Sequence, residues 1–166
     1  MSNIETKKYL NIMIESLEKK KKLLDMLLSK TSKQSDCIAG KDYENADWEQ
    51  FQVLMIEKDE AIDKIDELDS GFDQVFSRVK NELDNNKAEY VVEIKKLQEL
   101  ITSLTDIGVK ISATEERNRQ DIERIMTATK AGIGKARKNM KATSGYITSM
   151  YGNKANVESM KIDSKH

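Results

Sequence analysis

The chain has 166 residues, with 28 basic against 29 acidic side chains and a formal net charge of −1. Charged residues make up 34% of it and aromatic ones only 5%, too lean for a large compact core and suited to long helices that each bury one stripe. The lone Cys37 excludes an internal disulfide, and the slightly acidic balance argues against a nucleic-acid-binding protein.

Proline is absent, so no position breaks a helix by lacking its N–H donor. No apolar run approaches the roughly 18 residues of a membrane span, so stable membrane insertion is not expected. The opening "MSNIETKK" carries no apolar stretch of the kind found in secretory signals, and a cytoplasmic protein is expected.

The first predicted helix covers about residues 4 to 38. Leu10, Leu17, Leu24 and Ile38 share one seven-residue ladder, and Met13, Ile14, Leu27 and Leu28 fill the three- and four-residue steps between them. Gly40 is the expected stop, since only glycine takes the left-handed conformation there without a Cβ clash. The lysine run at 19 to 22 is followed by leucines in phase and predicts an exposed helix turn.

The second helix is predicted to start near Asp42 to Asp47, with Asp47 and Gln50 spaced to cap it. Trp48, Phe51, Met55, Ile62, Ile65, Phe72, Phe76, Val79 and Leu83 keep the helical spacing. "LDSGFDQVF" looks like a break at Ser70-Gly71, but a loop would reset the phase. Phe72 stays on the ladder of Phe51 and Ile65, and Phe76 on that of Trp48 and Ile62, so Gly71 is predicted inside the helix, allowing a bend or a close helix contact. The many carboxylates of "EKDEAIDKIDELD" alternate with lysine as a solvated face does, rather than pairing as catalytic or calcium-binding groups.

"DNNK" at 84 to 87 predicts the second turn, with Asn86 and Glu89 as a capping pair. The third helix carries Tyr90, Ile94, Leu97, Ile101, Leu104 and Ile111. Its stripe lapses through "TEERNRQD" and resumes at Ile122 and Ile125, a polar seam expected to mark frayed packing or a solvated end.

The fold class that follows is all-α: an extended antiparallel bundle of three long helices running up-down-up, with a loosely ordered C-terminal tail. A long two-helix hairpin with the third helix packed loosely, or completed by another subunit, is the alternative. Self-association into a homo-oligomer would relieve exposed ladder positions. The domain division expected is 1–130 for the helices and 131–166 for a basic, glycine-containing, partner-binding tail.

Residues 130 to 166 hold seven lysines and Arg137 against Glu158 and Asp163, a net +6, which leaves −7 for residues 1 to 129. Ile133, Ala136, Met140, Ile147, Met150 and Tyr151 fall at helical spacing, but Gly132, Gly134, Gly145 and Gly152 make an isolated helix costly. A segment that orders on a partner fits, or one that packs back onto its own bundle or frays.

Enzyme chemistry finds no support. His166 is the only histidine and the last residue, so a histidine base in a pocket or a histidine metal cluster is not expected; no catalytic residue, metal or cofactor is assigned. Cys37 sits near the end of an amphipathic helix, where a small core role fits. "GIGKA" fails as a phosphate loop, with Thr129 where the first glycine belongs and Ala136 where Ser or Thr belongs.

Residues 14 to 28, "IESLEKKKKLLDMLL", with the following "AGKDYENADWEQFQVLMIEKDEAIDKIDELDSGFDQVF" and the ending "GYITSMY…SMKIDSK", resemble the FlgN-type flagellar export chaperones. The FliT-type chaperones, which serve the filament cap, have a similar helical build. The resemblance implies a cytoplasmic, non-enzymatic chaperone of flagellar type III secretion that protects hook-associated subunits and delivers them to the export gate. It places cargo or gate recognition in the tail, at Tyr146 or Tyr151 with Met140, Ile147 and Met150 as apolar neighbours. The competing functional classes are a structural coiled-coil scaffold and a peripheral protein using its basic tail on anionic lipid. The latter is disfavoured because Asn153, Asn156, Ser159 and the glycines dilute the apolar face and the tail has no Trp or Phe.

Overall fold

The computed structural model describes residues 2–129. Helix α1 spans Asn3–Ile38, α2 Trp48–Asn85 and α3 Val91–Ala128, and a short 3-10 turn at Lys87–Tyr90 precedes α3. At 36, 38 and 38 residues the helices match in length. With a rise of 1.5 Å per residue each is about 54 to 57 Å long. The architecture is the three-helix, all-α one that the ladders predict.

Local chemistry sets the boundaries. Ser2 caps α1, its Oγ accepting from Glu5 N at 3.2 Å. The helix ends where Gly40 adopts φ 67°, with Ala39 N donating to Ser35 O and Lys41 N to Ile38 O. Asp42 Oδ1 then accepts from Asn45 N, Asp47 N donates back to Cys37 O, and Asp47 Oδ1 caps α2 by accepting from Gln50 N at 3.0 Å. Gly71 lies inside α2, as the phase argument requires. A Cβ there would meet nothing within 4 Å, so the glycine serves no close helix approach.

The second turn differs from expectation. The Asn86 side chain makes no capping bond to the following turn and instead donates to Glu82 Oε1, while Glu89 accepts from Asn3 Nδ2. The chain enters α3 through the 3-10 turn, pinned by the buried Tyr90, whose hydroxyl donates to Glu82 Oε1 at 3.0 Å.

Side-chain pairs define the register. Tyr9 with Arg78, Ser16 with Leu68, Lys20 with Asp69 and Lys30 with Glu57 align α1 antiparallel to α2. Thr31 with Glu115, Ser35 with Asn118 and the Ile38 carbonyl with Arg124 align α1 parallel to α3. Helix α1 packs its backbone close to both neighbours, and α2 and α3 meet mainly through side chains, Lys58 with Glu115 among them.

The interior divides into two apolar clusters. The larger runs from Leu10 to Leu27 on α1, Ala61 to Leu83 on α2 and Tyr90 to Ile111 at the start and middle of α3. The smaller lies at the α1–α2 loop end and contains Cys37, Ile38, Trp48, Phe51, Leu54, Met55, Ile122 and Ile125.

Between them one face of the polar seam "TEERNRQD" turns out to be interior. Helix α3 runs straight through it, with Thr114, Glu115 and Asn118 buried, because α1 and α2 supply matching polar groups. Two further expectations are corrected in the same way. Lys20, within the lysine run, is 2% exposed and paired with Asp69 at 2.7 Å, and Lys58, within the charged stretch of α2, is fully buried.

Candidate functional site

Met140, Tyr146, Ile147, Met150 and Tyr151 lie outside the described residues. What is described is the end of the rod from which their segment departs, since α3 finishes at Ala128. That end is the small cluster. Trp48 stacks obliquely on Tyr43 at 5.7 Å and meets Phe51 edge-on at 6.0 Å, and its indole N–H donates to Tyr43 O. Met126, at the margin of the described chain, packs against the same cluster, and Arg124 ties α3 to the loop by donating to Lys41 O.

Immediately behind it sits the buried polar layer. Lys58 of α2 donates to Glu115 of α3 and to Gln34 of α1. Gln34 Nε2 donates to Phe51 O, Asn118 Nδ2 donates to Thr31 O, and the Ser35 hydroxyl bonds Asn118 Oδ1. Burial pushes the Glu115 carboxyl above its ordinary range and the Lys58 ammonium below its own, in each case against the attraction of the other. Glu115 Oε2 is buried without a hydrogen-bond partner among the described residues, which adds to the cost of its charge. This arrangement holds helices in place. Its side chains lie under the protein surface.

The layer is legible in retrospect from phase alone. Thr31 fills the vacant seven-residue step between Leu24 and Ile38, Gln34 follows at helical spacing, and Lys58 falls between Met55 and Ile62 on the core ladder.

Helix α2 carries eleven acidic and four basic side chains in all, and Asp59, Glu60, Asp63, Asp66, Glu67 and Asp73 are exposed on its outer face while Lys58 is interior. The acidic excess of the rod therefore resides on α2. Ile56, 60% exposed, stands beside these carboxylates near the small cluster, and Ile4, Val91 and Val92 are exposed at the opposite end. A shallow groove of about 340 Å³ between α1 and α3 is lined by Ile14, Glu18, Lys96, Glu99, Leu100 and Ser103. Among the described residues no group of His, Cys, Asp and Glu is placed to hold a metal ion, and no helix is long and apolar enough to cross a membrane.

This plan of long helices agrees with the comparison to known families. The family model described as FlgN protein matches residues 6–159. The chain belongs to the FlgN family. Membership in that family assigns it a flagellar export chaperone role in general terms, with flagellar proteins as binding partners, and the FlgN family is a chaperone family rather than an enzymatic one. No curated protein and no solved structure matches the chain. The match continues some way past Ala128, where α3 ends, so the family pattern includes both the rod and most of the basic segment that follows.

Proposed function

We propose that this FlgN-family protein acts in the cytoplasm, binds hook-associated subunits of the hook–filament junction, prevents their premature assembly and delivers them to the flagellar export gate. Residues 131–166 are the segment that engages client or gate, with Met140, Ile147 and Met150 as adaptable apolar contacts and Tyr146 or Tyr151 meeting the gate. The observation that carries this reading is the extent of the family match, which reaches residue 159 and so treats that segment as part of the family pattern rather than an appendage. Its composition supports the role: a net +5 with methionines at 140, 150 and 160 suits an amphipathic segment that adapts to an imperfect partner.

Deleting residues 131–166 tests it. The truncated chain should keep the helical circular dichroism of the rod and lose capture of a purified hook-associated subunit. Undiminished capture by the truncated chain would refute the assignment of recognition to this segment.

A further inference from the structure

The two apolar clusters are separate, and what separates them is polar on all three helices: Thr31 and Gln34 on α1, Lys58 on α2, Glu115 and Asn118 on α3. The plane has a physical consequence. When water enters an apolar contact plane, the hydrophobic contribution of that plane is lost outright. When water enters a polar one, the internal hydrogen bonds are exchanged for bonds to water at small net cost, and a buried ion pair regains hydration. A boundary of this kind is where local opening starts or stops.

The parts beyond it are few. On the loop side, α1 contributes Cys37 and Ile38, α2 the stretch from Trp48 to Met55, and α3 Ile122 and Ile125. They are closed by Arg124 on the loop carbonyls and by the Trp48 indole on Tyr43 O.

We propose that the small cluster opens as a unit distinct from the main core, with the polar layer as the boundary, and that opening presents Trp48, Phe51, Ile122 and Ile125 to an apolar segment of the client beside the start of residues 130–166. The client-binding part rests on the chaperone reading above; the opening itself does not. The main core meanwhile holds the helices in register.

The full-length protein carries two native probes of this event. Trp48 is its only tryptophan and Cys37 its only cysteine, and both lie in the small cluster. In urea, Trp48 emission should shift to the red at lower concentration than the loss of far-UV circular dichroism. Under native conditions Cys37 should react with a thiol reagent, and amides of 48–58 and 118–126 should exchange, through openings at least about tenfold more populated than those of 61–83 and 97–111. Coincident transitions together with uniform exchange protection would overturn the proposal.

The variant Lys58→Met/Glu115→Leu replaces the charged part of the layer by apolar side chains that bridge the two clusters, and its fluorescence and circular dichroism transitions should draw together. Transitions that stay apart in a folded double variant would show that the layer is not the boundary. Capture of a hook-associated subunit by this variant should fall several-fold, and capture at the wild-type level would overturn the use of the opening by the client. Deletion of 131–166 leaves the Trp48 and Cys37 readouts in place, so the chaperone reading and the opening fail or stand separately.

Discussion

Removing one member of the buried ion pair should destabilise the rod far more than removing both. Replacing Glu115 by leucine leaves the Lys58 ammonium fully buried without the carboxylate it donates to. Breaking a buried pair from one side costs about 3 to 5 kcal/mol, because the remaining charge has lost both water and its counter-charge. A domain of this size has a total stability of roughly 6 to 19 kcal/mol, at about 0.05 to 0.15 kcal/mol per residue, so that loss is a large fraction of the whole. In Lys58→Met/Glu115→Leu the hydration cost of both charges disappears, and the expected change is near zero or about 1 to 4 kcal/mol in favour of the fold.

The pKa directions decide which effect wins. Burial shifts both groups toward their neutral forms although each attracts the other, so the interior charges the pair more than the pair returns. In Lys58→Met the cation that lowers the Glu115 pKa is gone, so that pKa rises further above its unfolded value. The Glu115 contribution is then fully present below about pH 4.3 and is lost as pH rises through the folded value. Urea unfolding of the four members of the double-mutant cycle, at pH 5 and pH 7.5, reads all of this. A Glu115→Leu penalty under about 1 kcal/mol, or a double variant as unstable as the two single variants summed, would refute the argument.

Two smaller effects follow from the same geometry. Gly71 is an exposed, mid-helix residue with open space where a Cβ would sit, so Gly71→Ala should stabilise the fold by about 1 kcal/mol, seen as a higher urea midpoint at unchanged slope. The Asp69 carboxyl is pushed above its ordinary range chiefly by burial, with Lys20 opposing. A carbon-detected NMR titration should find it protonating above the ordinary aspartate value of about 3.9. Because the folded pKa is raised, the Asp69 contribution is fully present below its unfolded value near about 3.9 and is lost as pH rises through the folded one. The stability difference between wild type and Asp69→Asn should therefore move in favour of the variant from pH 4 to pH 7.

The elements were readable because a ladder of apolar residues carries its own phase. Phe72 and Phe76 kept the phase of Phe51 and Trp48 across Gly71, and Gly40 and the Asp47–Gln50 spacing marked the first turn; the structure has a single α2 through the glycine and both boundary devices in place. What escaped was the polar interior. Charged side chains are almost never fully buried unless paired, so a reading of residue types sends Lys20, Lys58 and Glu115 to the surface. Their partners stand 49 and 57 positions away in the chain, at a separation that no local pattern displays. Phase would have located them, since Lys20 lies between Leu17 and Leu24 at core spacing just as Lys58 does between Met55 and Ile62.

The same spacing explains why interior charges belong in such a rod. Leucine-rich ladders repeat every seven residues, so α2 could slide by seven against α1, or α3 by seven against α2, and still offer apolar faces to apolar faces. The ion pairs make those alternatives unequal. With α2 slid by seven, Lys20 would face Ile62 or Phe76 instead of Asp69, and with α3 slid by seven, Lys58 would face Gly108 or Ile122 instead of Glu115. Each slip parts a buried ammonium from its carboxylate, at about 3 to 5 kcal/mol, about a hundredfold to a few thousandfold in population. Two pairs on two different helix interfaces thus fix all three helices in one alignment. A rod built on repeating ladders needs that discrimination, because its ladders would otherwise pair as readily with the wrong stretch of themselves.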